Sequence, residues 1–242
     1  MSNGSVANFS IGGILQRGAE VLGHNFATFG TLSALFMLLP FVSGVAMGNH
    51  FEVDGSVSVF AIGSLGMLWV MLYFLLFATL SHATICYLRG TPARISESLS
   101  WALGVLFPGI GITIIATIGT GLGVIFFLIP GLVLMTMWWV AVPAAVVERT
   151  GVIESLRRSG ELTRGYRWKV FGVIIFIYIG QFALDRLTNV VLSAAPIFSL
   201  VVNFLVMAAI TAYFAVVTAV CYHDLRVIKD GVGIQDIAQA FD

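Results

Sequence analysis

Six apolar runs, at roughly 27–48, 58–87, 105–128, 131–147, 170–192 and 197–221, dominate this chain. A helix needs about 20 apolar residues to cross the hydrocarbon of a bilayer. The second run is longer than that and is expected to tilt or to continue past the membrane as a helix. The fourth is short, and only Ile129-Pro130-Gly131 joins it to the third, so those two read as a tight hairpin. Of the 242 residues, 59% are hydrophobic and 10% charged, against about a quarter charged in soluble domains. A water-soluble fold of this length has no interior large enough for so much apolar surface. The fold class that follows is all-α: a polytopic membrane protein of six transmembrane helices, forming a single integral membrane domain over 1–242.

The basic residues orient it. Arg17 precedes the first run, Arg89 and Arg94 follow the second, and Arg149, Arg157, Arg158, Arg164, Arg167 and Lys169 separate the fourth from the fifth. Arg226 and Lys229 follow the sixth. Eleven of twelve Lys/Arg thus fall on one side; the other side holds Glu52, Asp54 and Asp185, with Arg186 alone. The positive-inside rule then puts both termini in the cytoplasm. Cys86 and Cys221 fall near cytoplasmic helix ends, where thiols stay reduced. The first 25 residues contain no long apolar core, so no cleavable signal peptide is expected, and the first span serves as the targeting signal. Net charge is zero, which argues against a nucleic-acid partner.

A short amphipathic segment precedes each odd-numbered span. In the first, Ile11, Leu15, Gly18 and Leu22 oppose Arg17, Glu20 and His24. In the second, Ile95, Leu99, Ala102 and Leu106 lie opposite Glu97. In the third, Val152, Ile153, Leu156 and Thr163 oppose Glu154, Arg157, Arg158 and Glu161. Residues 15–21 and 156–162 are similar to each other, and every even-numbered span ends in an arginine: Arg89, Arg149 and Arg226. These features suggest three repeats, 9–90, 91–150 and 151–231, each an interfacial cytoplasmic helix followed by a hairpin. Thr91-Pro92 reads as a helix start in the second repeat. The alternative is that amphipathic loops are common to polytopic proteins.

Chemistry-bearing residues are sparse. Gly44-xxx-Gly48 and Gly119-xxx-Gly123 have the spacing that lets helices approach closely, with a bending element as the other reading. Pro40 and Pro143 imply kinks in spans 1 and 4. His82, Gln181, Asn203 and Tyr73 are polar residues within spans, and no Asp, Glu, Lys or Arg falls near a midplane. That counts against an ion-coupled carrier. His24, His50, His82 and His223 are scattered, and no metal spacing, phosphate loop or nucleophile elbow occurs. The expectation is therefore no enzyme, no catalytic residue, no metal and no cofactor. An enzyme assembled from Glu148, Glu161, His223 and Asp224 is the remaining contrary reading.

The longest polar stretch runs from Glu148 to Lys169, with Glu154 and Arg158, and Arg157 and Glu161, at helical pairing distance. Trp168-Lys169 forms an interfacial anchor. Arginine suits phosphate, so Arg157, Arg158, Arg164, Arg167 and Lys169 are the candidate lipid- or partner-binding residues; a plain solvated loop is the other reading. Residues 142–165, with Pro143, Glu148, Arg158-Ser159, Leu162-Thr163-Arg164 and Gly165, together with Tyr222-His223-Asp224-Leu225-Arg226 and Lys229-Asp230-Gly231, resemble a bacterial family. It is the membrane domain fused to some glycerophosphodiester phosphodiesterases, with its stand-alone polytopic inner-membrane relatives. The resemblance is motif-specific over about the last hundred residues. It implies a bacterial inner-membrane protein, but not the fused enzyme's chemistry, because no histidine here precedes an arginine. Glu148, Arg158, Ser159, Thr163, Gly165, Asp224 and Arg226 match the family pattern. They are expected to interlock at the cytoplasmic face, with Asp224 and Glu148 accepting from arginines.

The functional expectation is a non-enzymatic inner-membrane protein of envelope or membrane homeostasis. It would contact anionic lipid headgroups, or a membrane-protein partner, through its basic face. A transporter or flippase-like permease for an amphipathic substrate is the alternative.

Overall fold

A computed structural model describes residues 9–53, 59–91, 94–191 and 195–231, with side chains left out at 47–64 and at 196. Asp54, Pro92, the surroundings of Gly48 and the side chains of His50 and Glu52 therefore lie outside what is described. The described residues are helical throughout, without a strand: α1 (Ile11–His24), α2 (Phe26–Val53), α3 (Val59–Leu88), α4 (Ile95–Gly104), α5 (Leu106–Phe126), α6 (Leu128–Met137), α7 (Ala141–Glu148), α8 (Val152–Thr163), α9 (Arg167–Val191) and α10 (Pro196–Asp230). Six stretches are long and apolar enough to cross a membrane: α2, α3, α5, the α6–α7 pair, α9 and α10. The chain is a multi-pass, all-α protein of that kind.

The order short helix, long helix, long helix recurs three times, led by α1, α4 and α8. One residue joins α1 to α2 and one joins α4 to α5, while three join α8 to α9. Counted from their first residues, the three short helices bury the same positions. The fourth are Ile14, Ser98 and Ser155, and the eighth Gly18, Ala102 and Ser159; the eleventh are Val21 and Leu162, matched by Val105 just past the end of α4. The face is set by helical spacing of i, i+4 and i+7, and the small eighth residue allows close approach. At Gly18 a Cβ would lie 2.6 Å from Val217 Cγ2. Each short helix packs on the even-numbered span that precedes it: α4 on α3, α8 on α7, and α1, closing the ring, on α10. Protein, not bilayer, therefore covers most of the apolar faces read from the sequence. Ile153, placed on the buried face by its spacing, is instead 70% exposed, because Ser155 and Ser159 occupy that face.

The core lies at the end of the bundle where the short helices sit. Among the described side chains, the buried residues of α2 (Phe29, Ser33, Met37), α5 (Gly109, Ile112) and, apart from Thr188, α9 (Val170, Val173, Ile174, Ile177) fall in the first halves of those helices. In α3 and α10 they fall in the last parts, Phe74 to Ile85 and Ala208 to Leu225. At about 1.5 Å per residue, α10, with 35 residues, is about 52 Å long, well beyond a hydrocarbon core of about 30 Å. Hydropathy alone ends this span at residue 221. The helix continues to Asp230 because α1 and α8 pack against its polar last turns.

The fourth span is broken. α6 and α7 are separated at Trp138–Val140, shortly before Pro143, which has no N–H to donate to the preceding turn. The bend places the α5–α6 turn at Phe127, three residues earlier than Pro130, which sits instead in the first turn of α6 where proline is tolerated. Glycine makes this hairpin tight: a Cβ on Gly123 would lie 2.8 Å from Gly131 Cα, and one on Gly119 would lie 2.6 Å from Trp138.

Candidate functional site

Two arginine–carboxylate latches hold short helices to long ones. Arg17 of α1 grips both oxygens of Asp224, with Nη1 2.8 Å from Oδ1 and Nη2 on Oδ2. Asp224 is almost fully buried, whereas Arg17 is 40% exposed. Arg158 of α8 donates from Nε to both oxygens of Glu148, at 3.0 and 3.1 Å, and from Nη2 to Asp230. Tyr222 Oη donates to Glu148 Oε1 at 2.9 Å, and Arg226 lies 3.6 Å from Asp230. Burial works against the Arg158 charge, but its hydrogen bonds to Asp230 and Glu148 outweigh that and push its pKa further up.

Arg17 and Arg158 are both the seventh residue of their helices. In α4 the seventh residue is Trp101, which stacks on His82 of α3 at 5.0 Å and lies under the Arg149 guanidinium at 3.6 Å. His82 also shares a hydrogen bond with Ser98 Oγ at 3.1 Å. Arg149 caps α7 with φ 51°, a left-handed position where Gly90 and Gly231 serve for α3 and α10. The second unit thus replaces an ion pair with an aromatic and cation–π stack.

Ser159 and Thr163 repair the broken span. Ala141 N donates to Trp138 O, so the Met137 carbonyl loses its partner in the helix. Ser159 Oγ donates to that carbonyl at 2.7 Å, and Thr163 Oγ1 lies 3.5 Å from it. Gly165, at φ +89°, turns the chain from α8 into α9.

The five cations expected to contact lipid have different surroundings. Arg158 is held within its latch. Lys169 Nζ donates to Phe9 O at 2.8 Å. Arg157 is exposed and bonds Glu154 at 2.5 Å, with Glu161 at 4.0 Å. The Glu154–Arg158 pair inferred from spacing does not form, because Arg158 turns inward. Arg164 and Arg167 make no ion pair or side-chain hydrogen bond among the described residues, and Arg167 Nε is shielded from solvent with no partner. They flank Trp168, which is 85% exposed, at a cavity of about 260 Å³ completed by Gly165.

Tyr222, Asp230, Arg17 and Trp101 are the participants that the sequence reading did not pair. The similarity of 15–21 to 156–162 held the signal for Arg17, since it aligns with Arg158. Nothing local marked Asp230 as a partner 72 residues away.

A second cavity, of about 330 Å³, opens beside the break in span 4. Tyr73, Thr113, Thr117, Trp139, Tyr178 and Phe214 are among its walls, and Trp139 Nε1 has no hydrogen-bond partner among the described residues. Toward the far end of the bundle, Gln181, Asp185 and Asn189 of α9 share a cleft with Asn203 of α10. Among the described residues, no three His, Cys, Asp or Glu side chains are placed to hold a metal. Glu148 and Asp224 belong to separate latches, and His223 Nδ1 lies 3.7 Å from Asp224. Comparisons with known protein families, curated proteins and solved structures find no match to this chain.

Proposed function

We propose a non-enzymatic protein of the bacterial inner membrane, with both termini in the cytoplasm, that serves membrane homeostasis by contacting anionic lipid headgroups at its basic end. One observation carries this reading: among the described residues, Arg164 and Arg167 stand without an ion-pair or side-chain hydrogen-bond partner beside an exposed Trp168. Neighbouring Arg157 and Arg158, by contrast, are paired with carboxylates. Guanidinium and indole together suit the headgroup level of a bilayer. The likeness of residues 142–165 and 222–231 to the membrane domain of glycerophosphodiester phosphodiesterases agrees with this setting, and we extend the proposal to kinship with that family.

Charge reversal tests it. The Arg164→Glu/Arg167→Glu protein, reconstituted in vesicles containing phosphatidylglycerol, is expected to lose anionic lipid from its annulus, read by native mass spectrometry. Unchanged retention overturns the reading. For orientation, a cysteine at Arg164 should resist an impermeant maleimide in intact cells and react in inverted vesicles.

The cavity beside the broken span favours a second reading, a permease for an amphipathic substrate. Interrupted helices line substrate sites in many transporters. Uptake or flipping of a fluorescent phospholipid by proteoliposomes, lost on Trp139→Phe or Thr117→Val, would support it; equal rates in protein-free vesicles would end it.

A further inference from the structure

We infer that the groove between α6 and α9 holds one acyl chain of an anionic phospholipid whose phosphate lies against Arg167 and Arg164. The inference rests on the lipid-contact reading and specifies it. Two spaces share Arg167 and Trp168 as walls. One is the headgroup-sized cavity at Arg164 and Gly165. The other, about 510 Å³, runs along Ile129, Leu132, Val133, Thr136 and Phe171. Thr136 Oγ1 is already committed to Val133 O at 2.8 Å, so apart from Arg167 and the Trp168 indole N–H this groove offers no polar side chain to a ligand. Water gains nothing there, whereas a hydrocarbon chain does.

The mouth has the opposite chemistry. Arg167 Nε is shielded from solvent and has no partner among the described residues, and a buried donor without an acceptor is unfavourable. Phosphate is the acceptor that guanidinium geometry matches. Arg164 supplies a second uncompensated charge, and no carboxylate among the described residues pairs with either arginine. A diacyl anionic lipid meets both demands at once; a free phosphate lacks the chain, and a zwitterionic lipid offsets its phosphate with a cationic group that two uncompensated arginines repel.

The other two units sharpen the point. Phe26 and Phe107 are exposed aromatics at the starts of α2 and α5, as Trp168 is at the start of α9. Neither has an arginine beside it: Asn25 precedes Phe26 and Leu106 precedes Phe107. The third unit alone combines the interfacial ring with guanidinium groups.

The full-length protein, purified in mild detergent, would be titrated with dioleoyl phosphatidylglycerol or dioleoyl phosphatidylcholine and read by native mass spectrometry. The wild type is expected to retain the anionic lipid preferentially. Arg164→Gln/Arg167→Gln should lower that retention by about tenfold or more. Val133→Trp, which fills the groove from its exposed wall and leaves both arginines, should lower it by about tenfold. Ile129→Trp is the second filling variant should the first not fold. If the filled groove retains the lipid as well as wild type while the arginine variant does not, the chain site is overturned and the general headgroup contact stands. If neither variant changes retention, both readings fall. Displacement of the lipid by millimolar inorganic phosphate would also overturn the inference, since it would show a phosphate site with no chain in the groove.

Discussion

The two halves of this bundle follow different rules. At the basic end every span contributes buried residues to the core. Ala212, Ala215 and Ala219 of α10 are fully covered, and a Cβ on Gly109 would come within 1.8 Å of Phe74. At the far end the same helices present Ile125, Val190 and Ile197 at 74–81% exposure. Lipid tails are as apolar as these side chains, so no hydrophobic force drives the far halves together. The basic ends hold together because α1, α4 and α8 wrap the long helices and lock onto them with directional bonds. Stability is therefore concentrated in a layer that hydropathy does not detect.

Unequal responses to substitution would test that contrast, measured as thermal or denaturant unfolding in detergent. Arg17→Ala should be the most damaging, at about 3–5 kcal/mol, because it leaves the buried Asp224 carboxylate without its partner. A small loss would break the comparison, since the latch would then be ornamental. Ile174→Ala, at a fully buried position in the first half of α9, should cost about 2–4 kcal/mol through the cavity it leaves. Ser159→Ala should cost about 1 kcal/mol, by removing the short bond to the Met137 carbonyl while Thr163 stays near. Ile197→Ala, 81% exposed at the far end, should shift stability by no more than about 0.5 kcal/mol. A cost there matching that at Ile174 would mean that a second copy or another protein covers the far half.

The second unit offers a finer test. Trp101→Ala removes the stack on His82 and the Arg149 contact. If it destabilises the fold by much less than Arg17→Ala, the aromatic latch is the weaker fastening, as expected from about 0.5–1 kcal/mol for an exposed cation–π contact.

Much of this was legible in the chain before any coordinates. Six apolar runs, spaced by polar segments of amphipathic period, determine the number of long helices and the three short ones, because hydrocarbon length and helical period are local properties of sequence. The similarity of 15–21 and 156–162 likewise suggested that α1 and α8 are counterparts. Local pattern failed where partners are distant. The spacing of Glu154 and Arg158 suggested a pair within one helix, yet Arg158 reaches Glu148 and Asp230, because the turn at Arg149–Gly151 and the packing of α10 carry both carboxylates to its inward face. Pro143 announced a disturbance in span 4, but not that Ser159 would close it.

What the sequence determined by itself was which segments are helical and which side of the bundle is basic. Only the tertiary structure decided which cations are neutralised and which are left free. Charge counts are additive along a chain, whereas ion pairing depends on which helix ends the packing brings within hydrogen-bonding reach.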